Sequence, residues 1–219
     1  MQFLTFAQKC GFFAGPPRLG QPCCLLCDEA GEAPGLCETC CALVGPSTSG
    51  LRSAHGTPVV AAFAYRFPLD HLVHRFKFSA DFATGVWLAD ALSRVARLCP
   101  APEVLVPAPS SARRLRERGF DPALLLARQV SRRVGVPVDA RSLRKVRHTP
   151  PQTSLSRAER SRNLAGAFAC GPSLRGRSVA VIDDVLTTGA TQRAIAASLL
   201  DAGVREVAAW VVAATPPPV

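Results

Sequence analysis

The chain has 219 residues, of which 48% are hydrophobic and 19% charged, and its mean hydropathy is +0.17. These values exclude a wholly disordered chain and leave room for one mid-sized domain and a smaller module. No apolar run reaches the roughly 18–20 residues of a membrane-spanning helix, and residues 1–17 lack the pattern of a signal peptide. We therefore expect a cytoplasmic protein without membrane insertion.

The formal net charge of +10 is concentrated in the middle of the chain. Residues 113–133 contain seven Arg and two acidic residues, and residues 141–177 contain eight Arg and one Lys against a single Glu. Such a distribution indicates a surface for polyanions, and a basic face that is merely solvated is the alternative interpretation.

The N-terminal segment, residues 1–44, holds seven of the nine Cys among Gly and Pro, a composition that cannot form a core without cross-links or a metal. Two C-x2-C pairs, Cys24–Cys27 and Cys37–Cys40, are separated by nine residues. Four thiolates at this spacing predict a structural zinc site with no open position. Cys23 and Cys41 are alternative outer ligands, and a disulfide cluster is the competing interpretation.

The segment after the cysteines, residues 45–58, is small and polar and indicates a linker. Residues 59–215 then alternate between strand and helix patterns, which predicts an α/β domain with a parallel sheet. Strands are predicted at 59–65, from 103, at 165–170, from 178 and at 207–214, and helices at 69–76, 82–98, from 122 and at 191–202. The stretch from 141 indicates a mobile loop or hairpin, which ends in a short helix opened by the capping box at 156–159. Residues 216–219 form a tail.

The most specific motif is VAVIDDVLTTGAT, from Val179 to Thr191. Its apolar half predicts a buried strand, from whose carboxyl end Asp183 and Asp184 emerge before a Thr/Gly loop leads into a helix. The loop and the helix start offer N–H and hydroxyl donors to a phosphate, and Gly189 permits close backbone approach. The two carboxylates can accept hydrogen bonds from a ribose diol or hold Mg²⁺ through its waters. A phosphoacceptor Asp or a Walker-B-like strand end are alternatives, but neither predicts TTGAT.

This motif matches the signature with which type I phosphoribosyltransferases bind phosphoribosyl pyrophosphate (PRPP). Other segments follow in the order of the ComF (competence protein F) family, in which a zinc ribbon precedes a phosphoribosyltransferase domain: the cysteine pairs, Leu72–Phe78, Val106–Pro109, Arg118–Phe120, Gln152, Arg160–Asn163 and Phe168. The chain thus resembles that family over nearly its whole length. It departs at Asp121-Pro122, where the family commonly has Asn-Gln.

The resemblance implies a parallel-sheet phosphoribosyltransferase fold and a set of contacts to PRPP. Asp183 and Asp184, with Mg²⁺, would position the ribose as the catalytic pair. The other implied contacts are the loop residues Thr187, Thr188, Gly189, Ala190 and Thr191, the turn residues Pro107 and Ala108, and the basic residues Lys77, Arg144 and Lys145. Each basic residue has an alternative role as a solvated charge.

The resemblance also implies a role in DNA uptake during natural transformation, with single-stranded DNA or an uptake protein as a partner. Two functions stay open: a module that binds a ribose phosphate, and an active transferase that moves ribose 5-phosphate from PRPP to a base or amine. Tyr65, Trp87 and Trp210 lie in apolar stretches and are expected in the core, which disfavours base stacking on these three residues.

Overall fold

The computed structural model describes residues 22–30, 35–45, 56–146 and 166–216. In chain order its elements are α1 (Glu38–Val44), β1 (Val59–Ala64), α2 (Leu69–Phe78), α3 (Phe82–Ala96), β2 (Val104–Pro107), α4 (Ala112–Arg118), α5 (Pro122–Val134), β3 (Leu143–Lys145), β4 (Phe168–Cys170), a 3₁₀ turn (Pro172–Leu174), β5 (Ser178–Leu186), α6 (Ala190–Asp201) and β6 (Glu206–Ala214).

The central sheet has four parallel strands in the order β1-β6-β5-β2. The first five residues of β5 and the last six of β6 are buried, as expected of parallel strands that are covered on both faces. The predicted parallel α/β fold is confirmed. β5 continues past the expected end at Asp183, because β6 pairs with it as far as Leu186.

Helices cover both faces of the sheet. Ala180 and Ile182 of β5 face the larger core, which they share with α2, α3 and α5. Val179 and Val181 face the opposite side and pack with α6 and the β3–β4 pair. This arrangement follows from the strand period of two residues, which sends neighbouring side chains to opposite faces.

The cysteine-containing module packs on the helical layer. Leu25 and Val44 are buried in the larger core, beside residues of α2 and α3. Gly35 lies against Trp87, where an added Cβ would come within 3.6 Å of the indole ring. The module therefore shares apolar contacts with the α/β part of the chain, and its predicted limits stay predictions.

Two helices were not predicted: α1 and α4. α4 begins at the N-cap Ser111, whose Oγ accepts a hydrogen bond from Arg114 N, and ends at Gly119 in the left-handed conformation. β3 lies in the stretch where a loop or hairpin was expected, and it pairs antiparallel with β4, which falls within the strand predicted at 165–170. The capping box, Gln152, Arg160–Asn163, most of the predicted linker and the end of the tail lie outside the described residues.

Candidate ligand cleft and cysteine cluster

A cleft of about 610 Å³ opens at the carboxyl ends of the sheet strands. The residues that follow β1 and β2, the end of β5 and the start of α6 line it, together with one side of α4 and the end of β3. The cleft brings together these sequence-predicted residues: Lys77, Ala108, Lys145, Asp183, Asp184, Thr187, Thr188, Gly189, Ala190 and Thr191. Ligands of open α/β sheets bind at this edge.

Two predicted contacts, Pro107 and Arg144, do not line the cleft. Pro107 is buried in β2 opposite Ile182. Arg144 alternates with Lys145 along β3, so its side chain leaves on the other face, and its Nε donates to the carbonyl of Arg141 at 3.0 Å.

The Asp183–Asp184 pair is held by specific partners. Asp183 Oδ2 accepts a hydrogen bond from Gln192 Nε2 at 3.1 Å, and Asp183 Oδ1 accepts from the backbone N–H of Asp184 at 2.9 Å. Asp184 Oδ1 lies 2.9 Å from Lys77 Nζ and accepts from Val185 N at 2.6 Å. Both carboxylates thus have protein partners that orient them.

Burial and the neighbouring charge of Asp184 raise the pKa of Asp183 to about 7. The N–H of Asp184, the Lys77 ammonium and the Gln192 amide lower this pKa in part. Close to neutral pH, Asp183 therefore exists as a mixture of acid and carboxylate.

The loop before α6 turns so that the start of this helix borders the cleft. Gly189 occupies the N-cap with φ of 71°, a left-handed conformation that favours glycine. Arg193 fastens this turn, because its Nη1 donates to the carbonyl of Thr188 at 2.8 Å. The residues from Thr187 to Gln192 all line the cleft, so the positive end of the twelve-residue helix borders it.

The cleft also contains residues that were not predicted as ligand contacts. Arg113, Arg114 and Arg118 come from α4, Ser110 and Ser111 from the turn before it, Gln192 from α6 and Tyr65 from the end of β1. Tyr65 is half-buried and packs on the core as expected, but it also forms part of the cleft wall. The pattern Ser111-x-x-Arg…Gly119, a helix cap followed by a helix stop, could have revealed α4.

Asp121, which stands where the family commonly has Asn, caps α5. Its Oδ1 accepts hydrogen bonds from Ala123 N at 3.0 Å and Leu124 N at 3.3 Å, and Pro122 occupies the first turn. Burial raises the pKa of Asp121, and the charge of Asp184 adds to this rise. The acid thus serves the helix as an Asn would.

The four predicted metal ligands form one cluster. The Sγ atoms of Cys24, Cys27, Cys37 and Cys40 all lie within 4.8 Å of one another. The Cys27 and Cys37 sulfurs are 3.8 Å apart, which is about the edge of a tetrahedron with metal–sulfur bonds of ~2.3 Å. The cluster could therefore bind a metal ion such as zinc. It includes neither Cys23 nor Cys41, and every described cysteine is a free thiol.

Backbone N–H groups donate to one of these sulfurs, that of Cys24. Burial by itself would raise the pKa of Cys24, but hydrogen bonds from Cys37 N at 3.3 Å and Leu26 N at 3.5 Å help to lower it to about 7. Burial raises the pKa of Cys27 to about 11 and also raises that of Cys40. A bound cation would favour the thiolate at all four positions.

Helix α2 contacts both the cluster and the cleft. Arg75 Nη1 donates to the carbonyl of Leu25, between Cys24 and Cys27, at 2.5 Å. Arg75 Nη2 also pairs with Asp81 at 2.7 Å. Lys77, two residues further along α2, reaches Asp184 in the cleft.

In the described part of the chain, no helix combines the length and apolar character needed to cross a bilayer.

Comparison with known proteins agrees with this architecture. Residues 121–217 match the phosphoribosyl transferase domain model. The chain is 35% identical over 159 residues to Competence protein F of Haemophilus influenzae, an alignment that covers 67% of this chain and 68% of the relative. It is 34% identical over 162 residues to DNA utilization protein YhgH of Escherichia coli K12, covering 69% and 70% of the two chains.

A solved structure, glutamine PRPP amidotransferase from B. subtilis complexed with ADP and GMP, matches with 17% identity and a TM-score of 0.45. That match covers 64% of this chain and 30% of the other, so the chain spans less than a third of that protein. The extent of the two curated alignments and the domain match establish that the chain belongs to the competence protein F family and carries a phosphoribosyltransferase domain.

Proposed function

We propose that the cleft binds PRPP, or a related ribose 5-phosphate, together with Mg²⁺, and that the protein uses this binding in the cytoplasmic handling of DNA during natural transformation. One observation carries the proposal: the Asp183–Asp184 pair and the loop Thr187–Thr191 line the same cleft. An anion cradle beside two carboxylates suits a ligand with a phosphate at one end and a diol next to it.

Each part of the ligand has matching groups in the cleft. The 5′-phosphate would bind the loop N–H groups and hydroxyls at the start of α6, and the ribose diol would bind the carboxylates. Arg113, Arg114 and Lys145 supply positive charge for a pyrophosphate. Carboxylate oxygens are ligands that Mg²⁺ accepts, directly or through its waters, and the ion would neutralise the charge of the pyrophosphate.

We further propose that the four-cysteine cluster holds a structural zinc ion. The short sulfur–sulfur distances and the N–H groups aimed at Cys24 fit a closed tetrahedral site. Such an ion would fix the module that packs on α2 and α3. The names of the relatives, together with the basic residues around the cleft, favour single-stranded DNA or a DNA-uptake protein as the macromolecular partner.

Calorimetry with PRPP and Mg²⁺ tests the small-molecule proposal. We expect the native protein to bind and the double variant Asp183→Asn/Asp184→Asn to lose measurable binding. Asp201→Asn, an exposed position at the end of α6, is the matched control and should bind like the native protein. Equal binding by the native protein and the double variant would show that the carboxylates have no such role.

An active transferase is the second candidate, favoured by the fixed carboxylate pair beside a basic cleft. In that reaction a nitrogen nucleophile forms the bond to C1′, the bond from C1′ to the pyrophosphate oxygen breaks, and pyrophosphate leaves with the electron pair. The cleft would stabilise its charge through Arg113, Arg114 and Lys145. Isotope-labelled PRPP incubated with a panel of bases and amines separates the two functions, since only a transferase releases pyrophosphate in step with a labelled product.

A further inference from the structure

A stripe of exposed rings runs along one side of α2; we call its members, Phe67, His71, His74 and Phe78, the α2 stripe. Phe67 is 51% exposed and Phe78 is 59% exposed. The Phe67 and His71 ring centroids are 5.5 Å apart, and those of His74 and Phe78 are 4.6 Å apart. The three helical positions share a face because they are three and four residues apart, whereas the opposite face is buried in the core.

The stripe meets the cleft at a cation. The Arg118 guanidinium lies 4.7 Å from the centre of the Phe78 ring, and Arg118 also lines the cleft. Lys77, next to Phe78 in the chain, reaches the cleft as well. Exposed rings and cations that face a phosphate site are therefore contiguous at this end of α2.

The charges around this junction favour a polyanion. α4 contains four arginines and one glutamate, and that glutamate, Glu117, pairs with Arg113 at 2.7 Å. On the other side, Asp81 pairs with Arg75. Burial by itself would raise the pKa of Asp81, but hydrogen bonds from Thr84 and the charge of Arg75 lower it. The nearby carboxylates of Asp81 and Glu117 are thus matched by cations, and further arginines face the solvent and the cleft.

We propose that the α2 stripe is a stacking surface for the bases of single-stranded DNA, with the sugar-phosphate backbone passing over Arg118 and the arginines of α4. Scattered exposed rings need no explanation, but a row of rings that ends at guanidinium groups matches the two requirements of strand binding: flat faces for bases and cations for phosphates. Duplex DNA hides the faces of its bases and would not use the stripe. The inference rests on the proposed DNA partner and is independent of PRPP binding.

The test is the affinity for a fluorescent oligothymidine of about 12 nucleotides, a length within the usual site size. Phe78→Ala should bind the strand about 5- to 150-fold more weakly. This range corresponds to the loss of one aromatic side chain on which a base stacks. Leu200→Ala, which truncates a side chain that is 52% exposed on α6, is the matched control and should bind like the native protein. Phe78→Trp should keep the affinity, and its new fluorescence should be quenched as the strand is added.

Several results would overturn the inference: no binding of the strand by the native protein, equal affinity of Phe78→Ala and Leu200→Ala, or equal affinity for a duplex of the same length. If Phe78→Ala weakens the binding of thymidine monophosphate as much as the binding of the strand, the ring belongs to a nucleotide pocket and the proposed strand surface is refuted. PRPP calorimetry on Phe78→Ala separates this inference from the cleft proposal. Strand binding that is lost while PRPP binding persists supports the stripe. PRPP binding that is absent from the native protein, with strand binding intact, refutes only the cleft proposal.

Discussion

Replacing Gln192 with Leu should raise the pKa of Asp183 further. Gln192 is 6% exposed, and its Nε2 donates to Asp183 Oδ2 at 3.1 Å, a bond that favours the ionised carboxylate. Hydrogen bonds to charged groups contribute about 1.5–3 kcal/mol, and one pKa unit corresponds to about 1.36 kcal/mol. Losing the bond should therefore raise the pKa of Asp183 from about 7 by about one to two units.

The rise in the pKa of Asp183 determines how stability and PRPP affinity change with pH. Burial and the charge of Asp184 have already raised this pKa above the unfolded value of 3.8, so the folded chain binds the extra proton and loses stability as pH rises from about 4 through about 7. In Gln192→Leu that loss should extend to a higher pH. Because Mg²⁺ and the diol need the carboxylate, PRPP affinity at pH 7 should fall about 5- to 50-fold and recover at higher pH.

NMR of chains with ¹³C-labelled Asp carboxyl groups measures the titration directly, and Asp183→Asn assigns the resonance. Gln129→Leu is the control, since Gln129 lies on α5 and accepts from Arg133 away from the cleft. We expect the Asp183 midpoint to move upward only in Gln192→Leu. A midpoint that stays in place or moves downward would refute the argument that the amide stabilises the charge.

Three other predictions concern the module, the core and the loop. A chelator should release about one zinc ion per chain and increase hydrogen exchange in residues 22–45 more than in the sheet; a metal-free native protein would contradict this. Gly85→Ala should lower the free energy of unfolding by about 1–3 kcal/mol in denaturant titrations, because the added Cβ would lie 2.5 Å from the Phe76 ring; a gain in stability, as helix propensity alone predicts, would contradict it. Gly189→Ala, at φ of 71°, should lower the free energy of unfolding by about 1–2 kcal/mol and also weaken PRPP binding measured by calorimetry. Gly135→Ala, at φ of 78° after α5, is the control and should lower only the stability. Equal PRPP affinities in the two variants would exclude the loop from the site.

The features predictable from the sequence are those in which short-range pattern and fold demand the same residues. Val179–Ile182 is apolar at every position because both faces of β5 are covered, and the Asp183–Thr191 segment needs its Gly where the chain turns into α6. The cysteine pairs are likewise local, since each C-x2-C turn sets two sulfurs side by side.

The features that were missed depend on contacts between distant segments. α4 buries none of its residues, so it has no apolar period to detect, yet tertiary packing brings its arginines to the cleft. The exposed state of Phe78 could not be predicted either, because a phenylalanine in a helix is more often part of the core. The family resemblance implies Arg144 as a PRPP contact, but the pleat of β3 sends its side chain away from the cleft.

Helix α2 contacts both proposed ion sites, which gives binding at one site a route by which to affect binding at the other. The Lys77 ammonium pairs with the carboxylate of Asp184, which an incoming Mg²⁺ would approach. Arg75 of the same helix donates a hydrogen bond to the carbonyl of Leu25. Displacement of Lys77 by a bound ligand would couple the two sites if it weakened the hydrogen bond from Arg75 to Leu25. Thermodynamic reciprocity then requires that zinc changes the PRPP affinity by the same factor by which PRPP changes the zinc affinity. In a cell that lacks zinc, the affinity of the cleft for PRPP would then change.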